Sequence, residues 1–155
     1  MCEDRRMSNG EPENLVVQRV LDGSPQDAWN AWTDPEQLRK FFAPAGSTVP
    51  LDELTMDVRV GGEFNLKMVN GHNGEIYPME AEYVALEEPT LLSFKTTGGI
   101  QGTIEFEDLG SDKTLLTWTT LVDFGGDEEF RRGATIGTHS AADQLVAHMA
   151  DLRSG

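Results

Sequence analysis

At 155 residues, 38% hydrophobic and 25% charged, the chain is the size of one domain and too apolar to be disordered, and it needs no metal or disulfide to fold. Its net charge of −15, from 27 acidic against 12 basic residues, opposes phosphate backbones and anionic lipid. Binding either would take clustered Lys and Arg, so neither nucleic acid nor a membrane is an expected partner, and the charge reads as solubility, with a high-salt habitat or a basic protein partner as the alternatives.

The single cysteine, Cys2, excludes an internal disulfide framework. The N-terminal MCEDRRMSNGEPEN carries no apolar signal core, and no window approaches the roughly eighteen apolar residues of a membrane span, so the expected setting is cytoplasmic. Residues 1–13 read as a flexible tail, with Met7 as an alternative start, and 14–155 as one domain.

Leu15 to Leu21 is rich in β-branched residues and predicts a strand, turned by Asp22-Gly23. Ser24 then caps a helix with Pro25 in its first position and Asp27 three residues after the cap. A second helix starts at once, capped by Asp34 with Pro35 following. It carries Leu38, Phe41 and Phe42 on one face and ends at Pro44 and Gly46.

From Thr55 to Val122 strands alternate with turn signals at Gly61-Gly62, Asn70-Gly71 with Asn73-Gly74, Glu88-Pro89, Gly98-Gly99 and Gly110-Ser111-Asp112. Phe64, Leu66 and Met68 oppose Glu63, Asn65 and Lys67, while Met79, Ala81 and Tyr83 oppose Glu80 and Glu82. Leu92, Phe94, Ile104, Phe106, Leu116, Trp118 and Thr120 continue the same dry face. After Gly125-Gly126 the period lengthens. Phe130, Ala134, Gly137, Ala141, Leu145 and Leu152 mark an amphipathic helix of about twenty or more residues. Strands grouped between helices predict an α+β fold: a strand, two short helices, about six strands and a long helix.

Several of these segments resemble the family related to the activator of the ninety-kilodalton heat-shock chaperone's ATPase, within the START-like (SRPBCC), birch-pollen-allergen-like superfamily. The resemblance rests on Trp32-Thr33-Asp34-Pro35-Glu36, Phe41-Phe42-Ala43-Pro44, Met56 to Phe64 with its diglycine, Gly74 to Leu86, and Glu88-Pro89. It implies a helix-grip fold, in which a curved antiparallel sheet wraps a long C-terminal helix. It also implies a capacity to form a homodimer, and members that bind apolar molecules or assist other proteins. A chaperone partner is implied by the family's name, and the acidic surface is the one sequence feature that would suit an interaction module. One departure is Thr138, near which the family often carries an aromatic.

The usual signs of chemistry are weak. His139 and His148 are nine residues apart, which places them on opposite faces of a regular helix, and His72 sits between turn residues, so no metal site is expected. No cofactor is expected either. His139 and Asp143 are four apart and can meet on one helix face, as a surface pair or as a base with its orienting carboxylate. No nucleophile attaches to them, so no catalytic residue is assigned. Gly61-Gly62 has neither the following helix nor the lysine of a phosphate loop and reads as a turn. Asp57 and Arg59 read as a structural pair on one strand face.

What remains is an apolar, ring-rich inner face. The expected ligand cavity is lined by Phe41, Phe42, Met56, Phe64, Met79, Tyr83, Phe94, Phe106, Trp118 and Met149, with Tyr83, Thr120 and His139 as polar handles. The expected function is non-catalytic binding of a small hydrophobic or amphipathic molecule. A cyclase- or hydrolase-type enzyme and a co-chaperone-like interaction module are the alternatives.

Overall fold

The computed structural model describes residues 13–43, 46–123 and 125–154. The proposed tail, apart from Glu13, lies outside the described residues, as do Cys2 and Pro44. The elements run β1 (Glu13–Asp22), α1 (Pro25–Thr33), α2 (Pro35–Leu38), β2 (Ser47–Thr48), β3 (Thr55–Met56), β4 (Glu63–Asn70), β5 (Ile76–Glu87), β6 (Leu91–Thr96), β7 (Gln101–Gly110), β8 (Lys113–Val122) and α3 (Glu128–Ser154). All strands pair antiparallel in one sheet ordered β1-β8-β7-β6-β5-β4-β2, with β3 also on β4. The sheet curls around α3, which is the helix-grip arrangement of an α+β fold.

Local chemistry accounts for the element ends. Ser24 and Asp27 form a reciprocal capping box at the start of α1, and Asp34 caps α2 through Glu36 N–H. The second helix is shorter than its apolar spacing predicts, because the chain passes into turns after Leu38. Phe41 and Phe42 are buried all the same. Between β7 and β8, Ser111 and Asp112 both take positive φ, 54° and 63°, as a two-residue hairpin turn of matching twist requires. Asp127 Oδ1 accepts from the N–H groups of Glu129 and Phe130 at 3.0 Å, closing the start of α3.

The diglycine is a packing requirement. A Cβ on Gly62 would lie 2.0 Å from the Asp57 carbonyl oxygen, and Gly62 O accepts from Tyr83 N–H at 3.0 Å. Asp57 and Arg59 do pair, at 2.8 Å, but in the loop between β3 and β4 and not on a strand face as expected, because the chain curls back there to make this contact.

Register carries the inner face across the sheet in rows. Val17, Trp118, Ile104, Leu92 and Leu86 are successive cross-strand neighbours, and so are Leu15, Thr120, Gly102, Phe94 and Tyr83. A bulge between Tyr83 and Ala85 puts one extra residue, Val84, into β5. Inward residues are therefore odd-numbered before it and include Leu86 after it. The first row, α1, α2 and the second half of α3 enclose a ring-rich core. Trp32 meets Phe41, Phe42 and Trp118 edge-on at centroid distances of 5.1, 5.9 and 5.0 Å, and Phe64 stacks on Tyr83 at 5.3 Å. Such pairs contribute about 0.5–1.5 kcal/mol each beyond their burial.

Candidate functional site

Beside that core the sheet and α3 part. Between the first half of the helix and the concave face lies a cavity of about 630 Å³, within the size range of small-molecule sites. The small residues of the helix stripe create it. Gly133, Ala134, Gly137 and Ala141 bring little volume to the sheet-facing side, so the helix roofs the cavity without filling it. Phe42, Phe94 and Trp118 make the floor, with Phe42 and Trp118 stacked at 5.9 Å and 22°. Gly102 lets the floor dip. A Cβ there would sit 2.6 Å from Phe94 Cζ, so the Phe94 ring lies across the glycine. Met68, Met79, Tyr77 and Phe130 also line it, and Thr96, Thr97, Thr120 and Thr138 bring hydroxyls to a mainly apolar wall.

Of the residues expected to line the cavity, Phe42, Met79, Phe94, Trp118 and Thr120 do so. Phe41, Phe64, Tyr83, Phe106 and Met149 are instead buried in the filled core, with Met56 packed against its edge. The physical reason is their packing: they lie in the filled core, where large side chains from the sheet, the α2 segment and the second half of α3 meet and leave no space. The Tyr83 hydroxyl is buried without a hydrogen-bond partner among the described residues, and burial raises its pKa well above the usual phenol range. It is no polar handle for the cavity.

His139 is the other correction. At about 100° per residue it stands nearly opposite Gly137 and Ala141 on α3, turned from the cavity toward β1. Arg19 Nη2 donates to His139 Nδ1 at 2.9 Å, and Arg19 Nε donates to Asp143 at 2.9 Å. Since guanidinium has no acceptor, His139 Nδ1 must accept. The His139 and Asp143 pair is therefore a clasp between helix and edge strand. His148 lies on a different face, where it bonds Gln37 Oε1 at 3.0 Å, so the two histidines do not converge. His72 is exposed in the turn after β4.

Tyr77, Thr96, Ile100, Phe130 and Thr138 are among the lining residues beyond the expected set. The alternation through Met79 extends to Tyr77, and the helix period includes Phe130, so those two had a signal. Thr138 was marked only by the departure from the family's aromatic. Ile100, in the β6–β7 turn, had none.

The sequence model of the family described as "Activator of Hsp90 ATPase homolog 1-like protein" matches residues 22–150. The chain belongs to this family. Solved structures agree with the AHSA1-like fold. A protein from Nitrosomonas europaea superposes with a TM-score of 0.79 at 20% identity, over 92% of this chain and 97% of its own. The AHSA1 protein from Silicibacter pomeroyi gives 0.75 at 22% identity, over 89% and 98%. An AHSA1-like protein from Aeromonas hydrophila gives 0.72 at 18%, over 87% and 93%. At these identities the likeness to the AHSA1-like structures is one of fold. No curated protein matches the chain in sequence. Among the described residues no helix is long and apolar enough to cross a membrane.

Proposed function

We propose that this AHSA1-like protein is a non-catalytic binder of a small hydrophobic or amphipathic molecule, held between the sheet and the first half of α3. The observation that supports it is the cavity of about 630 Å³ with an aromatic floor and a roof of small residues. The orientation of His139 favours binding over turnover, because its ring serves the Arg19 clasp on the other side of the helix. A cytoplasmic setting belongs to the proposal on the strength of the lone cysteine, and a capacity to dimerise on the strength of the family resemblance.

The test is native mass spectrometry of gently purified protein beside its Thr138→Phe variant, which puts a ring into the cavity. The expected result is a stoichiometric apolar adduct on the parent protein that the variant lacks. An adduct-free mass, together with no thermal shift across an apolar compound library, would overturn the proposal.

A further inference from the structure

Among the described residues the cavity wall offers a ligand hydroxyls and no inward-turned charge. Glu80 touches the cavity from β5, but its side chain is exposed on the outer face, where it shares a groove with Glu63, Glu82 and Lys95. The described cations on the elements that wall the cavity are turned elsewhere. Lys95 lines that same outer groove, Lys67 reaches Glu53 at 3.1 Å, and Lys113 pairs with Asp22. Arg131 pairs with Glu13 and Glu128. Arg132 is exposed on the far side of α3 from Ala134 and Gly137. A ligand carboxylate or phosphate seated here would lose its hydration with no counter-charge to replace it, in a protein whose net charge of −15 already repels it.

We infer, resting on the binding role proposed above, that the cavity selects an uncharged, ring-bearing amphiphile such as an alcohol, phenol or ketone, and discriminates against carboxylates and phosphates of the same skeleton. The stacked Phe42 and Trp118 pair suits a flat ring. Thr138 Oγ1 spends its own proton on the Ala134 carbonyl at 2.8 Å and so meets a ligand as an acceptor, whereas the Thr120 hydroxyl rotates to donate or accept. Together they satisfy a neutral hydroxyl and cannot neutralise an ion.

Calorimetric titration at neutral pH with a matched pair, naphthalene-ethanol and naphthalene-acetate, tests this. The expected result is that the alcohol binds at least about tenfold more tightly than the acetate, and that Thr138→Phe abolishes its binding. Thr120→Val with Thr138→Val is expected to cost the alcohol about tenfold and the acetate less than about twofold. A preference for the alcohol below about threefold, tighter binding of the acetate, no binding of either, or binding unchanged by Thr138→Phe would overturn the inference. The binding role itself falls only if the protein also carries no adduct and shifts with no apolar compound.

Discussion

The two halves of α3 lie along one sheet and belong to different parts of the molecule. From Ala141 onward the stripe is Ala141, Ala142, Leu145 and Met149, each at most 1% exposed and set among the rings of the core. Before it, Gly133, Ala134, Gly137 and Thr138 face a space, and Glu128 to Phe130 are exposed. The contrast teaches that one amphipathic period can hold a fold together at one end and leave an open space at the other through a change in side-chain volume. Stability and the proposed binding are then separable along a single helix.

The largest expected effect comes from breaking the buried half. Leu145→Ala removes a fully buried side chain and is expected to cost about 3 kcal/mol of unfolding free energy in a urea titration. A loss below about 1 kcal/mol would mean the second half is no more tightly packed than the first. In the roofing half the sign reverses. A Cβ on Gly133 meets nothing within 4 Å, so Gly133→Ala is expected to gain about 0.5–1 kcal/mol from helix propensity and reduced freedom of the unfolded chain. Destabilisation by that variant would show that the roof is closed more tightly than its geometry indicates.

The smallest effect is one of pH. Burial, and then Lys40, lower the pKa of His148 below its ordinary value of 6.5, outweighing Asp151 and Asp34. Folding disfavours the charged ring, so as pH falls the unfolded chain takes up this proton before the folded one does. The contribution is whole above pH 6.5 and declines as pH falls through the lowered folded value. Chemical denaturation of His148→Gln between neutral and mildly acidic pH is expected to lack that part of the decline, while His139→Gln retains it. Identical slopes in the parent and His148→Gln proteins would count against a buried neutral ring.

Most of the architecture was legible because local chemistry marks it. The capping residues Ser24 and Asp34, the glycine and asparagine turns, and the alternation through Phe64 and Leu66 each have a direct physical meaning at the level of sequence. The phase shift in β5 was not legible, since nothing in Tyr83-Val84-Ala85 distinguishes a bulged residue from a paired one. The helix period identifies the apolar stripe but not which flank reaches β1, and so the Arg19 clasp on His139 was hidden. Cavity and core were also indistinguishable in sequence. Phe41 and Phe42 are neighbours of identical chemistry, yet only Phe42 borders the open space, because an empty volume depends on how distant elements meet.

The aromatic floor gives the protein an optical signal of its own. Of its three tryptophans, Trp29 packs against Phe106 in the core, Trp32 is fully buried, and Trp118 borders the cavity with Trp32 edge-on to it at 5.0 Å. Indole emission follows the polarity beside the ring, so a ligand of the proposed kind seated against Trp118 is expected to change its emission more than that of Trp29. Occupancy of the proposed site would then be readable without a label, in the light the chain itself emits.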